Sequence, residues 1–214
     1  MNIAHQIALW ADKLRDVSAM GLLFAQDPYD RERYQQTQTI SLEMFALATD
    51  TPLDELEPLR ATVLARPTPT TCVDAAVIDE NGRLLLVQRA DNGCWVLPGG
   101  ISEVGESPAE GCVREVLEGT GVSCEPVELV GIFDSRYHGL AGPYHVYQML
   151  FLCRPLSIPT KAASHAQEVL AMGWFTAAEL PENLDPNHMT RIRESFRVWQ
   201  GGPIPFFDKE NRQA

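Results

Sequence analysis

The sequence predicts an α/β fold in which helices pack on a mixed sheet, preceded by a segment that is entirely helical. Apolar residues recur at spacings of three and four over the first third of the chain, whereas strand-like runs and a few helices follow it. The segment 66–71 between the two parts has two prolines and no apolar period, which is typical of a linker. The 214 residues, of which 45% are apolar, therefore divide into a helical extension over 1–66 and a core-forming α/β domain over 67–214.

The N-terminal part is predicted to contain three helices. The first covers 2–20 and ends at Gly21, with an apolar stripe of Ile3, Ile7, Trp10, Leu14 and Val17. The second begins after the capping residue Asp27 and runs to about Ala48, and a short third helix follows Thr51. This segment has large apolar side chains but too few residues for a strong core of its own. We therefore expect it to contribute to a homodimer interface or to substrate contact.

The second part is predicted to hold the sheet. Strands are expected over 72–79, 83–89, 127–134, 144–153 and 169–175. Asn81-Gly82 between the first two favours a tight turn, because both residue types tolerate positive φ. Residues 95–100 are interpreted as a loop. Ser107-Pro108-Ala109-Glu110 is a capping box that starts a helix reaching about Glu118, and a last helix is predicted over 188–199.

The charge and the cysteine pattern exclude several classes of protein. A formal net charge of −12 and a pI of about 4.8 argue against a duplex nucleic acid partner, which needs clustered Lys and Arg. The five cysteines include no C-x-x-C pair, so we expect reduced thiols rather than a disulfide framework or a zinc ribbon. No signal peptide is recognisable, and no stretch approaches the roughly 18 apolar residues that span a bilayer. The sequence therefore predicts a cytoplasmic protein with no membrane partner.

Several carboxylates converge around the helix that begins near Pro108. Glu115 and Glu118 are three residues apart and share one helix face, while Glu103 and Glu106 lie in the loop before it. An isolated pair of this kind is ordinarily a solvated acidic face. Carboxylates held close together resist ionisation, however, and a hard divalent cation removes that conflict. Oxygen ligands without Cys or His favour Mg²⁺ or Mn²⁺, which indicates phosphate ester or anhydride chemistry.

The segment 100–122 resembles the Nudix box, G-x₅-E-x₇-R-E-U-x-E-E-x-G-U, in which U is an apolar residue. One defined position departs from the box, because Gly119 stands where the second Glu of the E-E pair belongs. Leu97-Pro98-Gly99-Gly100 before the box and Trp174-Phe175 after it are also similar to this family, so the likeness covers about 70–200. The positions in register are Gly100, Glu106, Arg114, Glu115, Val116, Glu118, Gly121 and Val122.

The N-terminal part is similar to one branch of that family. Asp27-Pro28-Tyr29-Asp30, with Arg33-Tyr34, resembles the helical extension of Nudix enzymes that act on X-linked nucleoside diphosphates, including CDP-choline and ADP-ribose pyrophosphatases. The resemblance implies a Nudix-type α/β/α sandwich. It also implies hydrolysis of a small-molecule nucleoside diphosphate derivative, NDP-X, to NMP and phospho-X, with Mg²⁺ or Mn²⁺ as the cofactor.

The same resemblance implies roles for the charged residues of the box. Glu115 and Glu118 would ligate the metal. Glu106 would support the metal shell or orient the helix. Arg114 would hold the Glu115 carboxylate by a charge-assisted hydrogen bond.

Residues around the box are assigned to the substrate and to the attacking water. Glu168, in a late loop, would be the general base, and His165 is a weaker candidate. Gly99 and Gly100 would let the backbone approach the phosphates closely, and Glu103 would accept from water or a neighbouring ligand. A substrate-reading loop is predicted at Asp134, Arg136 and His138.

The departure at Gly119 keeps two alternatives beside NDP-X hydrolysis. The loss of a ligand carboxylate is also consistent with a non-catalytic nucleotide-binding module. A nucleoside-triphosphate pyrophosphohydrolase is consistent with the box as well, because the box does not encode the substrate. Since Arg114, Glu115 and Glu118 are all present, the sequence favours an enzyme.

Overall fold

The computed structural model describes residues 3–66, 68–103, 105–138, 145–157, 163–164 and 166–209. The chain divides into two compact units. The first ends at Thr70 and takes in a short later segment that ends at Val146, and the second contains the remainder. The domain boundary between residues 66 and 67 stays a prediction. Within the described ranges, no helix is long and apolar enough to cross a membrane.

The described part of the first unit is helical, as predicted: α1 (Ile3–Phe24), α2 (Pro28–Thr49), α3 (Leu53–Leu56) and α4 (Leu59–Thr62). The single short helix predicted after Thr51 is instead two, α3 and α4. The Asp27 side chain accepts a hydrogen bond from the Tyr29 amide, so α2 begins at the predicted cap. The predicted stop at Gly21 is wrong, since α1 continues to Phe24. A side chain at position 21 would collide with the Tyr34 ring, so the glycine permits close packing of α2 against α1.

The first unit buries a small apolar core but leaves several large apolar side chains of α1 exposed. Its core is formed by Ala11, Leu42, Phe45, Leu56 and Leu64. Apart from Arg15, the buried residues of α1 are small, namely Ala8, Ala11, Ser18 and Ala19. The exposed side of α1 carries an apolar row with one member every seven residues: Ile3, Trp10, Val17 and Phe24.

The described residues of the second unit form eight strands in two sheets. The strands are β1 (Thr70–Val77), β2 (Leu84–Arg89), β3 (Trp95–Val96), β4 (Gly99–Ile101), β5 (Ser123–Asp134), β6 (Val146–Ser157), β7 (Val169–Phe175) and β8 (Phe206–Phe207). One sheet has the order β4-β1-β6-β5-β8 and the other β3-β2-β7. β8 pairs parallel to β5, whereas β6 pairs antiparallel to it, so the sheet is mixed as predicted. The segment interpreted as a loop over 95–100 instead supplies β3 and most of β4.

The turn at Asn81-Gly82 forms as predicted, with Gly82 at φ 72°. The strands that it joins nevertheless make no extended hairpin. A single bridge links Ile78 to Leu84, after which β1 and β2 enter different sheets.

Two helices, α5 (Pro108–Thr120) and α6 (Met189–Trp199), cover opposite faces of the sheet layer. Successive residues of β1 alternate between two cores. One core contains Val73, Ala75 and Val77 with Cys112 and Val116 of α5. The other contains Ala76 and Ile78 with Ile192 and Phe196 of α6. The predicted α/β/α sandwich is therefore confirmed.

The C-terminal end of α5 gives a prediction about stability. Gly121 caps the helix in the left-handed region at φ 72°, whereas Gly119 is helical with nothing within 4 Å of an added Cβ. Gly121→Ala should lower the free energy of unfolding by at least about 1 kcal/mol. The matched change Gly119→Ala should raise it by up to about 1 kcal/mol. Urea denaturation measures both, and native stability in Gly121→Ala would contradict the cap.

Candidate active site

Local capping fixes the start of α5, and with it the box carboxylates. The Ser107 hydroxyl accepts from the Glu110 amide at 3.3 Å, and the Glu110 carboxylate accepts from the Ser107 amide at 2.7 Å. Both halves of the predicted capping box are therefore present, with Pro108 at the first helical position.

One guanidinium, that of Arg114, joins three box carboxylates. Its Nε and Nη2 each donate to Glu106 at 2.9 Å. Its Nη1 donates to Glu115 Oε1 at 2.8 Å and to Glu118 Oε2 at 3.1 Å. The sequence assigned only the Glu115 contact to this arginine. The fork geometry of arginine allows all three.

Glu106 acts as the anchor of Arg114 in this arrangement. The guanidinium, followed by the Glu103 amide at 2.7 Å, lowers the pKa of Glu106 to about 2. The same pairing raises the pKa of Arg114 above its already high value, so both groups are charged at neutral pH. Both Glu106 oxygens are engaged in this way, which fits the orienting role. Its role as a metal ligand stays a prediction.

The glycines of β4 allow the helix carboxylate to lie against the strand. A Cβ at Gly100 would come within 2.5 Å of Glu115 Oε1. A Cβ at Gly99 would overlap the Val73 carbonyl and crowd the Asp74 carboxylate. These glycines are therefore required by close approach within the protein, whatever contact they make with phosphate.

A cleft of about 710 Å³ opens beside this strand. It brings together Gly99, Gly100, Glu115 and Glu168 from the predicted set, and Gly119 also lines it. Glu168 ends a short 3₁₀ turn, Ala166–Glu168, that contacts α5, and its side chain is exposed. Glu168 thus faces the same cleft as Glu115. Glu103, Glu106 and Glu118 are not among the lining residues.

The predicted substrate-reading residues lie elsewhere, around Asp208. Arg136 pairs with Asp134, and the Asp134 amide donates to Asp208 Oδ2 at 2.8 Å. His138 Nε2 lies 2.6 Å from Asp208 Oδ1. None of the three lines the cleft, and their contact with substrate stays a prediction. His165 lies outside the described residues.

The cleft also contains polar residues that the sequence reasoning missed. Arg89 and Asp91 form an ion pair among its lining residues, and His188 lines it as well. Asp74 lines the cleft and lies 3.1 Å from the fully buried Arg191. Asp74 and Arg191 are more than a hundred positions apart in the sequence, so neither motif nor spacing indicates their contact.

The donor chemistry of the site fits a hard divalent cation. Carboxylate oxygens of Glu115 and Glu118 both lie within 3.1 Å of one nitrogen, so they already converge on a single positive charge. Burial raises the pKa of the Cys72 thiol to about 12, so the sulfur in the cleft is a poor ligand. Across the described residues, no group of three His, Cys, Asp or Glu side chains surrounds one point. Glu115 and Glu118 would therefore hold the ion with further oxygens from the substrate.

Comparison with known proteins agrees with this geometry. A family model described as NUDIX domain matches residues 68–196, and one described as UDP-X-like, N-terminal oligomerisation domain matches 5–59. The chain is 38% identical to YjhB of Bacillus subtilis (strain 168) over 144 residues, which cover 67% of this chain and 69% of that protein. It is 32% identical to an ADP-ribose pyrophosphatase of Methanocaldococcus jannaschii over 137 residues, 63% of this chain and 76% of that one. The solved structure of a UDP-X diphosphatase matches with a TM-score of 0.56 and 28% identity, over 92% of this chain and 96% of that one.

An α/β/α sandwich whose helix-borne Arg–Glu cluster faces a Gly-Gly strand defines a class, the hydrolases of phosphoric anhydrides. Within that class, the chain belongs to the Nudix family and is a pyrophosphohydrolase.

Proposed function

We propose that the protein hydrolyses the pyrophosphate bond of a nucleoside diphosphate linked to a second group, NDP-X, with Mg²⁺ or Mn²⁺. The observation that carries this proposal is the shared cleft of Glu115, Glu168 and the Gly99–Gly100 strand. The names of the relatives support the substrate class, since one is an ADP-ribose pyrophosphatase and another a UDP-X diphosphatase. The second likeness extends over both units of this chain.

The residues of the cleft divide the chemistry between them. When bound, a divalent cation supplies charge neutralisation for the pyrophosphate oxygens. Arg114 holds the Glu115 and Glu118 carboxylates in place for it. Glu168 accepts a proton from the attacking water. The water oxygen forms a bond to phosphorus as the bridging P–O bond breaks, which gives NMP and phospho-X.

Oligomer formation through the N-terminal unit is part of the same proposal. The apolar row of α1, formed by Ile3, Trp10, Val17 and Phe24, is exposed along the whole helix. A seven-residue repeat of this kind suits the seam between two helices, so we assign it to a second copy of the chain. The matching family model is itself described as an oligomerisation domain. The five free cysteines suit a reducing compartment, so we also propose a cytoplasmic location.

Turnover should depend on the charge of Glu115. Glu115→Gln keeps the shape of the side chain but removes the anion, so kcat on ADP-ribose with Mg²⁺ should fall at least about 100-fold. The control Glu128→Gln removes an exposed carboxylate from β5 and should leave kcat unchanged. Native turnover in Glu115→Gln would contradict the assignment.

Restoring the missing box carboxylate should strengthen metal binding. Position 119 is helical, faces the cleft and has open space around it. Gly119→Glu should therefore lower the Mg²⁺ concentration for half-maximal rate, whereas Gly119→Ala should leave it unchanged. If Gly119→Glu gives no gain, another carboxylate already completes the site, with Glu168 the first candidate, and Gly119→Glu should then restore part of the turnover that Glu168→Gln abolishes. A native chain that binds nucleotide but hydrolyses no NDP-X or triphosphate, even with millimolar Mn²⁺, would establish the binding module instead.

Charge placed in the apolar row should break the oligomer. Trp10→Glu and Val17→Glu each put a carboxylate into the proposed seam. Light scattering after gel filtration should therefore show a dimer for the native chain and a monomer for both variants. Gln36→Glu adds the same charge to the exposed surface of α2 and serves as the control. Dimers that persist in both variants would place the interface elsewhere.

A further inference from the structure

His188 lines the cleft and uses one of its two ring nitrogens within the protein. Its Nδ1 accepts a hydrogen bond from the Leu97 amide at 3.3 Å. A neutral imidazole that accepts at Nδ1 carries its proton on Nε2. No hydrogen bond to Nε2 occurs among the described residues. Because His188 lines the cleft, we take its Nε2–H to be the donor that a ligand there would use.

The surroundings keep this ring neutral. Burial lowers the pKa of His188 well below its usual range, and the charges of Arg191 and Arg89 lower it further. The titratable groups among the lining residues are Cys72, Asp74, Arg89, Asp91, Glu115, Glu168 and His188 itself. A protonated ring would also turn an N–H toward the Leu97 amide, which is itself a donor. The tautomer therefore follows from the hydrogen bond, and the pKa direction agrees with it.

The segment that carries His188 is tied to β3 and β4 at several points. The Trp95 amide donates to the Asn183 carbonyl, and the Asp185 amide donates to the Trp95 carbonyl, both at 3.0 Å. Farther along, Arg191 pairs with Asp74, which lies beneath Gly99. These ties fix the ring relative to the strand that also supports Glu115.

The part of the cleft around His188 differs in its chemistry from the part around Glu115, where the pyrophosphate is proposed to bind. Leu97, which His188 contacts, precedes Gly100 by three residues, at most about 10 Å of extended chain. The lining next to Leu97 includes the apolar residue Val96 and its partner on β2, Val87. A flat apolar ring with a neutral hydrogen-bond acceptor suits such a wall. A phosphate, by contrast, would call for a cation, and the nearby Arg89 is paired with Asp91.

We infer that His188 is a specificity-determining residue whose Nε2–H donates to an acceptor atom on the nucleobase of the substrate. The inference depends on the proposed function, because that function identifies the ligand as a nucleotide. It assigns the base to the His188 end of the cleft and the pyrophosphate to the Glu115 end. The residue thus selects the nucleoside half of NDP-X and takes no part in bond breaking.

Two substitutions distinguish the hydrogen-bond donor of His188, Nε2–H, from its acceptor, Nδ1. In His188→Asn, the side-chain oxygen lies near the position of Nδ1 and keeps an acceptor for Leu97, but the cleft donor is lost. In His188→Gln, the side-chain nitrogen lies near the position of Nε2 and keeps the donor, but the Leu97 acceptor is lost. A structural role for the ring therefore predicts that Gln is the damaging change, whereas base recognition predicts that Asn is.

The probes are AMP, CMP and UMP, which carry the base, and ribose 5-phosphate, which does not. Calorimetry on the full chain without metal measures binding in the absence of turnover. For the nucleotide that the native chain binds best, Kd should rise about tenfold in His188→Asn and change less than about threefold in His188→Gln, as expected for one neutral hydrogen bond. Binding of ribose 5-phosphate should be the same in all three proteins.

Other outcomes overturn the inference. Weaker nucleotide binding in His188→Gln with native binding in His188→Asn would assign the ring to holding Leu97. Weaker ribose 5-phosphate binding in His188→Asn would assign the ring to the X group. If none of the three nucleotides binds to the native chain, the proposed base site is wrong. Because no turnover is measured, failure of the proposed hydrolysis alone leaves this result intact.

Discussion

The contact between Arg114 and three carboxylates is the interaction on which the site depends. Glu115 and Glu118 each hold an oxygen near the same guanidinium nitrogen, so those oxygens are no more than about 6 Å apart. Two negative charges at that separation repel by about 3 kcal/mol at an effective dielectric constant near 20. Arg114 offsets that repulsion, and Glu106 in turn fixes Arg114 through two hydrogen bonds. The four side chains are therefore held together by hydrogen bonds within the protein itself.

The cluster can pack against the sheet only because the strand that it faces, β4, has glycine at the point of contact. Gly100 of β4 lets the Glu115 carboxylate pack against the backbone from the α5 side. From the α6 side, the Asp74–Arg191 pair and the His188–Leu97 hydrogen bond hold the same stretch of chain. One short segment, residues 95–101, is thus positioned by both helices of the sandwich. Residues of this segment line the cleft from the His188 end to the Glu115 end.

The sequence predicted α5 and its carboxylates well because their signals are local. The capping box, the spacing of Glu115 and Glu118, and the glycine after the helix all act within one or two turns. The short strands β3 and β4 gave no such signal, because two or three residues around Pro98 show no alternation. His188 and Arg191 were missed for a different reason. Their partners, Leu97 and Asp74, are distant in sequence, and only the folded sheet brings them together.

The N-terminal helices illustrate how a correct pattern can mislead about packing. The stripe containing Trp10 and Val17 has helical spacing, and the helix forms. Its neighbour α2 nevertheless packs on the opposite side, where small residues allow closer approach. Periodicity identifies an apolar face but does not say whether the same chain or another copy covers it. The sequence therefore predicted the apolar row of α1, but it did not predict that this row is exposed.

The Arg114-held carboxylates of α5 should form a divalent cation site at the edge of the cleft, where Glu115 lines it. Anomalous diffraction from crystals grown with Mn²⁺ tests this assignment. We expect a peak within coordination distance of carboxylate oxygens of both Glu115 and Glu118, and a much weaker peak in crystals of Glu115→Gln. A peak bound by other residues, or no peak in the cleft at millimolar Mn²⁺, would contradict it.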